Sequence, residues 1–596
     1  MKKIISLTFL FCLVYIGQAQ NFSNFTVDSV LKVIQVKQDN YARIVNEKES
    51  ILKAKKVSDA VTPVYKTVTV TSGNLAADFT VGGISYAITS STAPYTVAVT
   101  KGYTSYSGSI SIPSSVTNNG TTYLVTSIGD FAFKSCNYLT SVSIPTSVIS
   151  IGTSAFLNCS GLTSVSIPAS VTSIGDMAFG NCSGLKSVTL PSSITSIGRW
   201  AFEYCTSLTS VTIPSSVTTI ERYTFRSCKG LTSVSIPASV TSIGDNAFEG
   251  CAGLKSVALP SSITSIGSDA FLICTGLMSV NIPSSVISIG QLAFQGCTGL
   301  TAINVETGNP NYSSVDGVLF DKAQTILICY PAGKIGGSYT IPSSVTSVKF
   351  SAFQDCKDLM SVNILSSVLS IGDQAFLDCT GLTAINIEIN NPNYLSVDGV
   401  LFDKNQTVLI CYPAGKKANS YTISSSVISV VYGAFCDCTG LTSVTLPSSI
   451  SSIRGFAFKG CTGLTDIYTY NINSINTILK DDYVFYNVPT STCVLHVPAG
   501  SGSLYAAAAQ WKDFTHILED LPSAVNSVGI TTVTIRTVNE QLIISGLAGG
   551  EPLAVYTLQG VQLYRGIASS SSFSLALPTH GIYVVKAGAE SVKVGY

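Results

Sequence analysis

A phrase of 23 residues returns along this chain and leaves few folds open to it. Leu139, Leu162, Leu185, Leu208, Leu231, Leu254, Leu277 and Leu300 stand 23 residues apart, and the pattern resumes at Leu359, Leu382, Leu441 and Leu464. A fixed period of this length marks a solenoid in which each copy is one coil. In the copy that begins at Leu162 the other apolar positions are Val165, Ile167, Val171, Ile174, Ala178, Phe179 and Cys182. Val165 and Ile167 alternate as a short strand does, and Pro168 ends it because proline brings no N–H to a ladder. "VTSIG" predicts a second brief extended piece turning at Gly175, and "DMAFGNC" a tight or single-turn helical return. One coil has too little apolar surface to fold alone, so stability has to come from stacking, with strands about 4.8 Å apart. Twelve phenylalanines, from Phe133 to Phe458, then form an internal aromatic ladder. Burial of each is worth about 2 to 3 kcal/mol.

The order L-x-x-V-x-I-P-x-x-V-x-x-I resembles the leucine-rich repeat. With "IPSSV", "SIG", "AF" and a cysteine at 23-residue spacing, it is similar to the BspA-type repeats of bacterial surface and secreted proteins over about residues 110 to 520. That resemblance implies a curved solenoid used for adhesion or binding.

The expected fold class is mainly β: a leucine-rich repeat solenoid of 23-residue coils with β caps, two hairpin inserts and a C-terminal β-sandwich. Residues 1–19 read as a signal peptide, with Lys2 and Lys3 before an apolar run and cleavage after Ala19. Cys12 follows Phe11, a poor context for lipid attachment. Residues 20–62 form a charged helical spacer, 63–135 a β cap with the first coil, 136–490 the repeat array, 491–520 a terminal cap and 521–596 the sandwich. In the terminal cap Leu504, Tyr505, Trp511 and Phe514 are expected over the open end. The inserts, near 305–336 and 387–418, carry hairpin turns at Asp316-Gly317 and Asp398-Gly399 and read as small meanders protruding from the solenoid. "VYTLQGVQLYRG" and "LPTHGIYVVKAG" resemble C-terminal domains of proteins exported by Bacteroidetes-type bacteria, including type IX sorting domains, although only Lys586 and Lys593 stand near the end.

Chemistry is scarce in the array. The three histidines, His496, His516 and His580, fall outside it, and its acids, such as Asp176, Asp245 and Asp373, recur at one turn position rather than across a cleft. "PAGK" lacks the spacing of a phosphate loop. No catalytic residue, cofactor or metal is assigned. With 33 basic and 33 acidic residues nothing attracts nucleic acid, and no later apolar run is long enough to span a membrane. Twelve of the 17 cysteines share one repeat position, where a small apolar plug is favoured over disulfides because stacked side chains point in parallel.

The outward strand positions, Thr140, Ser141, Ser143 and their equivalents, give a neutral Ser/Thr face suited to broad contact. One place departs from it: Arg199 and Trp200, then Arg222 and Tyr223 one period later, with Glu203, Tyr204, Glu221 and Arg226 alongside. Stacking would gather these into an aromatic and basic patch of the composition found at binding hot spots. The partners expected are an extracellular protein or glycan, or copies of the chain itself, outside the cell or at its surface. A glycan-acting enzyme is the remaining alternative.

Overall fold

A computed structural model describes residues 76–522, apart from 103–104, 473–474 and 476–477, together with the strands from Thr534–Val538 to Glu590–Gly595. The expected leader and the spacer 20–62 lie outside the described residues.

Each coil contributes two short strands. Ser164–Ser166 pairs in parallel with Ser187–Thr189 of the next coil, Val165 opposite Val188, and Ser173–Ile174 pairs in parallel with Ser196–Ile197. Equivalent residues face each other one period apart, as a sequence that repeats its side chains but not its charges requires. The first strand stops before Pro168, whose carbonyl accepts from Val171 N–H at 3.1 Å. The return from Ile174 to Leu185 is a run of tight turns rather than a helical turn. Two residues of it, Met177 and Asn181, are left-handed, with φ of 56° and 57°. Three backbone bonds tie it to the next coil: Met177 N–H to Arg199 O at 2.8 Å, Phe179 to Ala201 at 2.8 Å and Asn181 to Glu203 at 2.7 Å.

Coils approach so closely that two positions tolerate no side chain. A Cβ on Gly198 would lie 2.5 Å from Asp176 N, and one on Gly184 would lie 2.4 Å from Ser160 O. That contact, more than any turn preference, explains "SIG" and "GL".

All eight apolar positions of the Leu162 copy are buried, and they belong to one core shared by successive coils. Phenylalanine rings stack from Phe133 to Phe294 with centroids 4.9 to 5.6 Å apart. The ladder has more rungs than the phenylalanine count suggests, because Tyr330 and Tyr412 stack at 5.2 Å on Phe353 and Phe435. The described cysteines are free thiols. Cys182 Sγ donates to the carbonyl of Phe156 at 3.1 Å, and Cys205, Cys228, Cys251 and Cys274 repeat this bond to the preceding coil. Cysteine therefore supplies an apolar plug and one weak donor together. Burial pushes the Cys228 thiol up to about 12.

The inserts do not protrude as expected. In each, the hairpin (Tyr312–Val315 with Val318–Asp321; Tyr394–Val397 with Val400–Asp403) leads to a third strand, Ile326–Cys329 or Val408–Cys411, which enters the parallel sheet of the solenoid. Val318, Leu319, Phe320 and Leu327 are fully buried, which is why the meander is drawn inward. The hairpin also finishes the broken sheet, since Tyr312 Oη accepts from Ile289 N–H at 2.8 Å and Tyr394 Oη from Ile371 N–H at 2.9 Å.

At the N-terminal side, antiparallel strands Phe79–Val81, Ile84–Ser90 and Thr96–Thr100 lead into Thr121–Ile128 and then the coil strand Ser150–Ile151. At the other side, Asp466–Thr469, Val494–Pro498 and His516–Leu521 extend the first sheet in parallel, and a helix spans Gly502–Ala507. Tyr505, Trp511 and Phe514 are buried there, but Leu504, expected with them, is 51% exposed: it sits on the solvent side of that one short helix. Beyond residue 533 two antiparallel sheets share a small core of Leu542, Ile544, Leu553, Val555, Leu577 and Val585. No helix among the described residues is long and apolar enough to cross a membrane.

Candidate functional site

The eight residues singled out in the sequence do come together on the return-turn edge of the solenoid. Trp200 and Tyr223 occupy the same left-handed turn position in successive coils, with φ of 55° and 60°, so the period alone superposes them. Their rings stack at 5.2 Å, 7° from parallel. Tyr204, also left-handed, stands 5.8 Å from the Arg226 guanidinium, which lies 5.7 Å from the Tyr223 ring as well.

The basic character expected of this patch is cancelled. Arg226 makes a forked contact to Glu249, Nε to Oε2 at 2.7 Å and Nη2 to Oε1 at 3.2 Å, and a third bond from Nη1 to Glu203 at 3.1 Å. Arg222 meets Asp245 at 2.6 Å, and Arg199 lies 3.7 Å from Glu221. Three guanidiniums thus face four carboxylates on adjacent coils. Burial tends to lower the Arg226 pKa, but Glu249 and Glu203 outweigh it and hold the pKa raised; burial likewise pushes the Glu203 carboxyl up against the pull of Arg226. The result is an edge of aromatic rings set among satisfied ion pairs, built to touch a surface rather than to attract an ion.

Sequence reasoning missed two further groups on the chain and named the histidine of a third, His496, without its partners. Tyr432, Phe456, Tyr483 and Tyr486 form a second aromatic row on the same edge, Phe456 stacking on Tyr483 at 5.7 Å, with Tyr483 and Tyr486 both exposed. Phe456 and Tyr483 hold the turn position of Trp200, each two residues before a ladder ring, Phe458 or Phe485. Asp378, Cys436 and Asp437 bring ligand-type atoms within 4.8 Å of one another, and Lys459 Nζ lies 3.2 Å from Asp378 Oδ1. Burial favours the neutral form of Asp378, yet bonds from Asp437, Cys436 and Lys459 hold its pKa low; burial and the Asp378 charge push Asp437 up to about 6. The ammonium of Lys459 therefore serves this carboxylate cluster as its counter-charge. His496 is clamped between Asp520 at Nδ1, 2.8 Å, and Asp466 at Nε2, 3.0 Å, and stacks on Tyr468 at 4.2 Å. Both carboxylates accept, so the ring donates from both nitrogens and joins three adjacent strands in packing rather than in chemistry.

A family model described as the BspA type leucine rich repeat region matches residues 106–232, 218–326, 336–406 and 411–496. Among solved structures, a leucine rich cell surface protein from Faecalibacterium prausnitzii is 30% identical, with 68% of this chain and 98% of that one covered at a TM-score of 0.48. A leucine-rich repeat protein from Bacteroides ovatus is 27% identical, covering 74% and 97% at a TM-score of 0.40. The pneumococcal vaccine antigen PcpA is 19% identical, covering 75% and 100% at a TM-score of 0.35. No curated protein matches the chain.

Proposed function

Since this chain belongs to the BspA-type leucine-rich repeat family, we propose that it is an exported, non-enzymatic binding protein that holds an extracellular protein on the return-turn edge around Trp200 and Tyr223. The observation that carries this reading is the stacked Trp200–Tyr223 pair within a frame of ion pairs. Each ring covers one face of the other, which leaves fewer faces to stack on a sugar and favours the edge contacts of a protein interface. Trp, Tyr and Arg are the side chains most enriched at interface hot spots, and a charged, hydrated rim around them is the usual arrangement. The leader expected at residues 1–19 and the cell-surface relative from Faecalibacterium prausnitzii support a location outside the cell.

The test is a Trp200→Asn, Tyr223→Asn double variant. Asparagine tolerates the left-handed backbone, as Asn246 does at φ 56° in the next coil, so the fold is kept. Binding to extracellular-matrix proteins and to a glycan array is compared with the native chain. Loss of protein binding by roughly 30-fold or more, the equivalent of a 2 kcal/mol hot spot, supports the reading. Unchanged protein binding, or loss confined to glycans, refutes it.

A further inference from the structure

At the second insert the coil is shorter than its neighbours. Phe435 follows Val430 by five positions, whereas Tyr412 follows Leu409, the partner of Val430 in the sheet, by only three. Tyr412 still takes its rung in the ring ladder, and its N–H still donates to Ala434 O at 2.8 Å. The outer part of the return turn is what the coil omits.

The omission breaks the backbone ladder. In a regular coil the residues equivalent to Gln374, Phe376 and Asp378 donate to the next coil, as Met177, Phe179 and Asn181 do. Among the described residues, the N–H groups of these three residues have no acceptor and the Tyr432 carbonyl on the facing turn has no donor. Between them lies a cavity of about 330 Å³, walled by Gln374, Phe376 and Leu377 on one side and Tyr432 and Gly433 on the other, with Ile410 and Cys411 below. Its size falls at the low end of ligand pockets, roughly 300 to 1,000 Å³. A cavity of mixed lining edged by unpaired main-chain donors and an unpaired acceptor fits one chemistry best, that of another main chain.

The first insert has the same break, the N–H groups of Leu292, Phe294 and Gly296 being equally without an acceptor among the described residues, but a polar side chain spans it. There Gln295, buried at the position equivalent to Leu377, reaches across to donate from Nε2 to the carbonyl of Ser351, the residue equivalent to Gly433, and accepts from Cys329 Sγ at 3.8 Å. Leu377 reaches Gly433 with an apolar methyl instead, so no side chain donates across the second gap and the cavity remains beside it.

We propose that this slot receives the tip of a turn from a partner protein, which replaces the omitted residues of the coil. One carbonyl of that turn accepts from Gln374 N–H, and one N–H of it donates to Tyr432 O, as the repeat's own turn does in every complete coil. Tyr432 also begins the exposed row with Phe456, Tyr483 and Tyr486, which gives the partner an apolar landing beside the slot. This site is independent of the one at Trp200.

The probe is the capped peptide Ile-Gly-Asp-Met, the sequence of Ile174–Met177 that fills this place in a regular coil. Hydrogen exchange of segment 374–378 is followed in the full chain with and without millimolar peptide. The proposal expects exchange to slow by about tenfold or more on addition. It expects no slowing in a Leu377→Gln, Gly433→Ser variant, which copies the Gln295 and Ser351 pair that the chain already folds with. It also expects none from a peptide N-methylated at the methionine amide. No slowing in the native chain, or equal slowing in the variant or with the methylated peptide, overturns it.

Discussion

Phe225→Ala tests whether coils are held by their neighbours. The Phe225 ring is fully buried, 5.6 Å from Phe202 and 5.5 Å from Phe248. Its removal takes away the transfer energy of the ring and leaves a cavity that rigid backbone ladders on both sides keep from collapsing. The cost is about 3 to 5 kcal/mol. Beyond area, each parallel contact is worth about 0.5 to 1.5 kcal/mol. A double-mutant cycle isolates it: Phe225→Ala combined with Phe202→Ala has a coupling of that order, because the two vacancies merge. Phe225→Ala combined with Phe435→Ala, whose ring lies in a different core cluster, has a coupling within about 0.5 kcal/mol of zero. Urea unfolding monitored by circular dichroism gives the energies. Equal coupling for near and distant pairs, or none for the near pair, refutes nearest-neighbour stabilisation.

Gly198→Ala forces a methyl against Asp176 N at 2.5 Å and costs about 1 to 3 kcal/mol in the same assay, while Gly500→Ala, where a Cβ meets nothing, does not clash and bears only the strain of its φ of 83°. The thiols of the ladder, with Cys136 pushed up to about 11 and Cys228 to about 12 by burial, stay unreactive to a thiol reagent at pH 8 until the chain unfolds; rapid native labelling contradicts the account. His496 supplies a pH dependence. Burial lowers its pKa, but the bonds to Asp466 and Asp520 outweigh this and raise it above the ordinary value. Its contribution is therefore complete below about pH 6.5 and is lost as the pH rises through the raised folded-state pKa. The melting temperature falls across that window in the native chain, and His496→Gln removes the slope.

Most of the core was legible because a period of 23 fixes which residues stack. Leu162, Val165, Phe179 and Cys182 needed no knowledge of the turn to be placed inside. The patch was legible for the same reason, but its charge was not. Arg226 was read beside Glu203 as part of a basic patch, but Glu249, which takes the forked contact, stands one period further on and was not included. The inserts hid more. The 36-residue step from Phe376 to Tyr412 interrupts the period and the rung there is a tyrosine, so Tyr412 did not read as a rung although Phe435 follows it by 23. The cysteines were read as plugs, but their bond to the preceding phenylalanine carbonyl needs the coil spacing in three dimensions to be seen.

The central claim is that one coil lies on the next at strand spacing. Spin labels on non-natural residues at Ser164 and, in turn, Ser233, Ser256 and Ser279, all exposed at the same strand position, measure it by pulsed dipolar spectroscopy. The account predicts separations that rise by about 5 Å with each added coil, from about 14 to 19 to 24 Å. Distances that do not grow with coil number contradict it.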